Sequence, residues 1–257
     1  MEFHFGLITD IGTTREVNQD SVCIHSADTL AGKVIFAVVC DGMGGLTEGE
    51  YASNTMVQAL EQWYQNQLSV LIEEGIELNK LRTMLEQVLK QHNEYLIQYG
   101  NEKNSPMGTT VSAILILQGR YFGIHVGDSR IYTVGRNRIQ QITNDHSRVM
   151  QEVRLGIITP TEAEQDTRKN QLLQCIGARG EIMPEFFEGN YDERTTFLLC
   201  SDGFVHKISN KEIWKKLRPS RVKTEEKLND NIRYLVEENK KRNETDNITA
   251  LAIRVEP

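Results

Sequence analysis

Short apolar runs rich in β-branched residues recur along the chain at 21–24, 33–40, 109–117, 120–126, 130–134, 138–142, 195–200 and 248–255, and each predicts a strand. The four runs between 109 and 142 are separated only by Gln118-Gly119, Gly127-Asp128-Ser129 and Gly135-Arg136-Asn137. Links that short cannot carry a parallel crossover, so an antiparallel meander of four neighbours is expected. In two blocks the spacing changes to steps of three and four. The first covers 47–96 with a break near Gly75, and its apolar face carries Ala52, Met56, Ala59, Leu60 and Trp63, then Leu81, Met84, Leu85, Val88, Leu89 and Leu96. The second covers about 224–241, with Leu228, Ile232, Leu235 and Val236 as its stripe. Each block has one apolar and one polar face, so each covers a sheet. Strands in more than one sheet with helix pairs outside imply a layered α+β sandwich.

The 257 residues hold no internal repeat, low-complexity tract or Pro/Gly/Ser linker, which favours a single domain over 1–257. A 39% hydrophobic content supplies a sizeable core, and the net charge of −7 argues against a nucleic-acid partner. Lys211, Lys215, Lys216, Arg218 and Arg221 form a small basic group, read as a solvated helix face and its exit. The first residues lack the pattern of a signal peptide, and the longest apolar runs are about seven residues, too short for a bilayer. No membrane partner is therefore expected. Cys23, Cys40, Cys175 and Cys200 lack paired metal spacing, and three lie in or beside strand-like runs as buried thiols. The expected location is the cytoplasm.

Chemistry enters with the positions of the acids. Asp41, Asp128 and Asp202 follow apolar strands, while Asp20 and Asp246 stand just before others. One aspartate at a strand end is ordinarily a turn cap. Five, three of them beside glycine (Asp41-Gly42, Gly127-Asp128, Asp202-Gly203), suggest a ligand approached closely by the main chain. If the strands lie in facing sheets, these ends can converge as an oxygen-only cluster, which suits Mg2+ or Mn2+ rather than Zn2+. Such a cluster around a pair of ions is a hydrolytic centre that activates water toward phosphorus. Arg15 lies in a polar loop five residues ahead of Asp20, and a guanidinium holds phosphate oxygens through paired hydrogen bonds.

Eight segments carry a resemblance: Arg15-x-x-Asn18-Gln19-Asp20, Asp41-Gly42-Met43-Gly44-Gly45, Met107-Gly108-Thr109-Thr110, His125-Val126-Gly127-Asp128-Ser129-Arg130, Thr143-x-Asp145-His146-Ser147, Gln174-Cys175-Ile176-Gly177, Ser201-Asp202-Gly203 and Asp246-Asn247-Ile248-Thr249. In this order, over nearly the whole chain, they resemble the metal-dependent Ser/Thr protein phosphatases of the 2C type, the PPM family, especially its compact bacterial members. The resemblance implies a four-layer αββα sandwich of two antiparallel sheets. It also implies hydrolysis of phosphoserine and phosphothreonine in phosphoprotein partners, opposite a Ser/Thr kinase. Two or three Mn2+ or Mg2+ ions are the implied cofactors. Carried over to this sequence, the resemblance implies that Asp41 would bridge two of them, that Gly42 would offer its carbonyl, that Asp202 and Asp246 would complete the set, and that Asp20 would contribute through bound water. It likewise implies that Arg15 would bind the phosphate, that Asp128 with Asp202 would support a third and weaker ion, and that Asn247 would orient the neighbouring ligand. The segment at about 146–174 resembles the family's flap.

Two departures stand out. Met43 occupies the position where animal members have histidine, which removes the familiar general acid, and Phe204-Val205-His206 replaces the usual continuation after Ser201-Asp202-Gly203. His125 on a strand is expected to be structural, and His146 to organise the entry to the flap. Three other readings compete. A phosphatase-like binding or sensor module without catalysis conflicts with the intact set Asp20, Asp41, Asp202, Asp246 and Arg15. A nucleotide hydrolase would need the Gly-Lys-Ser/Thr ending that the Asp41-Gly-Met-Gly-Gly run lacks. A two-metal nuclease fits the acids but neither the negative charge nor the motif order.

Overall fold

Residues 34–40 are apolar without alternation because the strand they form is buried on both faces. Val34, Phe36, Val38 and Cys40 face helices, whereas Ile35, Ala37 and Val39 face a second sheet. The computed structural model describes residues 2–29, 32–45, 47–73 and 75–256. In chain order come β1 (Glu2–Asp10), β2 (Asp20–Thr29), β3 (Gly32–Met43), α1 (Glu48–Glu73), α2 (Leu78–Lys103), β4 (Gly108–Thr109), β5 (Val111–Leu117), β6 (Arg120–Val126), β7 (Arg130–Val134) and β8 (Ile139–Gln141). There follow α3 (Arg148–Arg154), α4 (Pro160–Gln165), β9 (Glu185–Asn190), β10 (Thr196–Cys200), α5 (Asp202–Val205), α6 (Asn210–Leu217), α7 (Glu225–Lys241) and β11 (Ile248–Glu256).

Two antiparallel sheets result. One has the order β1-β11-β10-β7-β8, the other β2-β3-β5-β6-β9, with β4 paired to the end of β3. Between them Ile35, Val39, Ile114 and Ile116 meet Phe197, Leu199, Leu251 and Ile253. On the outer faces α1 and α2 cover the β2–β9 sheet, and α6 and α7 cover the other. This is the αββα sandwich. The ends of α7 follow local chemistry: Thr224 accepts from the Lys227 amide, Glu225 and Glu226 occupy the first turn, and Lys240 and Lys241 the last.

The expected meander is corrected at its centre. β6 and β7 belong to different sheets. A three-residue link forces antiparallel pairing only if both strands share a sheet, and here the chain crosses the interior between two. Gly127 makes that crossing with φ +111°, in a place where a Cβ would stand 2.5 Å from Thr110 Cγ2. Two strands escaped the apolar-run reading, β1 and β9, and both lie at sheet edges. The helix expected to finish near Leu96 continues to Lys103 and ends at Asn104 in the left-handed region.

The segment 146–174 is tied at its base by the pairing of Ser147 with Leu172, and Thr109 pairs with Ile176 just beyond it. Within it, Arg168 holds both Glu152 (2.9 Å) and Asp166 (2.6 Å), and a Thr159–Glu162 capping box starts α4.

Candidate metal centre

The strand ends named in the sequence do meet. Asp20 begins β2 and stands directly opposite Asp41, near the end of β3, in the register of the pair. Asp202 opens α5 straight after β10, Asp246 precedes β11, and Asp128 lies in the link by which β6 crosses to β7. Ser201 helps to join the two sheets at this edge: its Oγ donates to Asp20 Oδ2 at 2.8 Å and accepts from the Thr249 amide at 3.0 Å. Gly42 has no alternative, since a Cβ there would lie 2.0 Å from the Gly49 carbonyl oxygen.

The cluster's electrostatics are those of acids with too little counter-charge. Burial, then the fields of Asp20, Asp202, Asp128 and Asp246, hold the Asp41 carboxyl well above the usual carboxylate range. Burial likewise pushes Asp20 up to about 7, against hydroxyl hydrogen bonds from Thr249 and Ser201. Asp128 rises to about 8 through burial and the charges of Asp202 and Asp145. Asp202 goes the other way. Burial opposes its ionisation, but His206 outweighs it with Nε2 3.2 Å from Asp202 Oδ2. The same imidazole has Nδ1 3.4 Å from Glu244 Oε1. Burial would lower its affinity for protons, yet the two carboxylates raise it to about 10.

These residues fit a divalent cation. Asp20 Oδ1 and Asp202 Oδ1 are buried without a hydrogen-bond partner, a costly state for carboxylate oxygens unless a cation takes them. The donor set is oxygen only, as Mg2+ and Mn2+ prefer.

Around the acids, Asn247 stitches the loop carrying Arg15 to the start of β11. Its Oδ1 accepts from the Gln19 amide (2.9 Å), and its Nδ2 donates to the carbonyls of Ile11 (3.0 Å) and Val17 (3.1 Å). Its own amide donates to Asp246 Oδ1 at 2.8 Å. Arg15 is half-exposed and donates to Asp246 Oδ2 at 2.9 Å. Sequence reasoning passed over His206 and Glu244. The spacing of four between Asp202 and His206 was the available signal, because it stacks both on one side of a helical turn. Glu244 left no such signal: its oxygen accepts from the amides of Thr245 and Asp246 through a turn visible only in three dimensions.

His125 and His146 lie outside the acid cluster. His125 pairs Nδ1 with Ser112 Oγ (2.9 Å) and Nε2 with the Asn144 carbonyl (3.2 Å), and burial first, then His146, pushes it down to about 3. His146 Nδ1 accepts from the Gly127 amide at 3.1 Å, which couples the sheet crossing to the start of the 146–174 segment. Met43 lines a cavity of about 550 Å³ with Leu96, Pro106, Met107, Cys175 and Arg179. Cys175 is half-buried and the other cysteines are buried.

Comparison with known proteins agrees with the fold. Residues 13–243 match the family model described as protein phosphatase 2C. The protein phosphatase PhpP of Streptococcus pneumoniae is 34% identical over 209 residues, covering 80% of this chain and 81% of the relative. The S. agalactiae serine/threonine phosphatase superposes with a TM-score of 0.86 at 30% identity, covering 99% of this chain and 100% of the other. The catalytic domain of the serine/threonine phosphatase PstP, solved in complex with two manganese ions, aligns with a TM-score of 0.79 at 27% identity over 99% of both chains.

Proposed function

Because this chain belongs to the protein phosphatase 2C family of serine/threonine phosphatases, we propose that it hydrolyses phosphoserine and phosphothreonine in other proteins at a binuclear Mn2+ or Mg2+ centre. The observation that carries this reading is the convergence of five aspartates on one edge of the sandwich, with Asp20 Oδ1 and Asp202 Oδ1 buried and unpartnered. Asp41, Asp202, Asp246 and the Gly42 carbonyl would hold the two ions, Asp20 would act through bound water, and Asp128 with Asp202 would serve a third. When bound, such ions supply Lewis acidity and bring the pKa of water toward neutrality.

The chain's own residues do the positioning. Arg15 grips the phosphate oxygens, exchanging its single hydrogen bond to Asp246 for paired bonds to the dianion. Asn247 fixes both the Arg15 loop and Asp246, so one side chain sets the distance between the phosphate grip and an acid. Ser201 holds Asp20, and His206 keeps Asp202 ionised. Met43 carries no transferable proton, so the departing serine or threonine oxygen takes its proton from water or from another group. The products are the protein alcohol and inorganic phosphate, which places the enzyme opposite a Ser/Thr kinase. Among the described residues no helix is long and apolar enough to cross a membrane, and we place the enzyme in the cytoplasm with its phosphoprotein substrates.

The test is phosphate release from phosphoserine and phosphothreonine peptides after EDTA stripping and after Mn2+ or Mg2+ is restored. Activity should vanish on stripping and return with either ion. Undiminished turnover in a verified metal-free preparation would overturn the binuclear reading.

A further inference from the structure

On the opposite face of the β2–β9 sheet, away from the aspartate cluster, a second group of metal-binding side chains comes together. Cys23 and His25 are two residues apart on β2, so both project from one face. That face is covered by α1, and Glu61 of α1 meets the pair, with His25 Nε2 2.8 Å from Glu61 Oε1. A thiol sulfur, an imidazole nitrogen and a carboxylate oxygen from these three residues all lie within 4.8 Å of one another. The imidazole plane is set by stacking on Tyr64, with ring centroids 5.2 Å apart and planes 21° from parallel. Cys23 is buried, while the side chains of His25 and Glu61 keep 29% and 31% of their exposure, so the group is reachable from solvent.

We propose that Cys23, His25 and Glu61 form a zinc site that clamps the outer strand β2 onto α1, with water as the fourth ligand. Thiolate and carboxylate together carry two negative charges beside a neutral imidazole, which balances Zn2+. Sulfur and imidazole also select Zn2+ over Mg2+ or Mn2+, the reverse of the oxygen-only aspartate cluster. The fit needs only small side-chain rotations. Zinc distances of about 2.0–2.3 Å put tetrahedral partners about 3.3–3.6 Å apart, against ligand atoms that are 2.8 Å apart for His25 and Glu61 and all within 4.8 Å of one another. Burial and the Glu61 charge push the Cys23 thiol up to about 12, so the ion displaces a thiol proton to solvent and binds more tightly as pH rises. The clamp ties an edge strand to the helix layer, since β2 has β3 as its only strand neighbour among the described residues.

Co2+ is the probe, because a thiolate ligand gives it a near-ultraviolet charge-transfer band that oxygen ligands cannot. The full chain, preloaded with Mn2+, is titrated with Co2+. The site predicts a saturable sulfur band at one equivalent, competed away by Zn2+ and missing in Cys23→Ser. Glu61→Gln keeps the thiol and the packing, and there the band should need at least about tenfold more Co2+. This second variant reports even if Cys23→Ser fails to fold. The proposal is overturned by absence of the band in the parent chain, by its survival in Cys23→Ser, or by unchanged Co2+ affinity in Glu61→Gln. None of these readouts depends on phosphatase activity.

Discussion

Asp41 has four other aspartates acting on it, and its carboxyl is the one whose removal separates metal binding from folding most clearly. At neutral pH the metal-free protein must either ionise Asp41 among like charges or protonate it far from its ordinary range, and both cost stability. Asp41→Asn removes that cost while keeping the shape. The metal-free variant should therefore melt higher than the metal-free parent, by on the order of 1–2 kcal/mol or about 2–6 °C in calorimetry. With Mn2+ present its turnover should fall more than about a hundredfold, the scale of several kcal/mol of lost charge stabilisation. A metal-free variant no more stable than its parent would mean that these acids do not repel one another as placed. Arg15→Ala belongs at this scale too. Hydrogen bonds to charged groups contribute about 1.5–3 kcal/mol, and Arg15 gives one up from Asp246 to engage phosphate, so KM should rise about tenfold with little change in kcat. An effect confined to kcat would contradict ground-state gripping. The aspartates were legible because each marks the end of an apolar run. His206 and Glu244 were not, because their roles depend on which carboxylate each faces.

Elements place these residues, and the crossing from β6 to β7 places Asp128. Gly127 combines φ +111° with a Cβ position 2.5 Å from Thr110 Cγ2, so Gly127→Ala incurs both backbone strain and a clash. The expected destabilisation is about 2–4 kcal/mol, a fall of roughly 4–12 °C in the metal-free melting midpoint. Because His146 accepts from the Gly127 amide, the substitution should also loosen the 146–174 segment, read as faster cleavage there in limited proteolysis. An unchanged midpoint would show that the crossing tolerates a side chain. Central strands were readable from sequence because burial on both faces leaves unbroken apolar runs. Two of the edge strands, β1 and β9, were not: β9 runs Glu-Phe-Phe-Glu-Gly-Asn and, among the described residues, pairs with β6 alone, so fewer apolar positions are required.

For the whole molecule, the buried histidines give acid stability a defined sign. His125 and His146 have folded-state values of about 3 and about 4, below the ordinary value near 6.5. The folded chain thus refuses protons that the unfolded chain accepts. Their contribution is complete above about pH 6.5 and is lost as pH falls toward 3, by up to about 1.4 kcal/mol per pH unit for each. In urea unfolding at pH 7, 6 and 5, metal-free His125→Gln should lose stability less steeply than the parent. The raised carboxylates of Asp20 and Asp128 act in the opposite sense in both proteins and cancel in that difference. Parallel slopes would contradict a neutral buried His125. The sequence by itself determined which runs become strands, where the two amphipathic blocks lie, and which acids end at strand termini, because periodicity and composition are local properties of the chain. Only the tertiary structure decided that β6 and β7 part into different sheets, that Asp20 faces Asp41 across a register, and that His206 bridges Asp202 and Glu244. It alone brought Cys23 and His25 of β2 against Glu61 of α1. Such pairings depend on how strands and helices stack in space, and residues brought together by stacking leave no period in the chain.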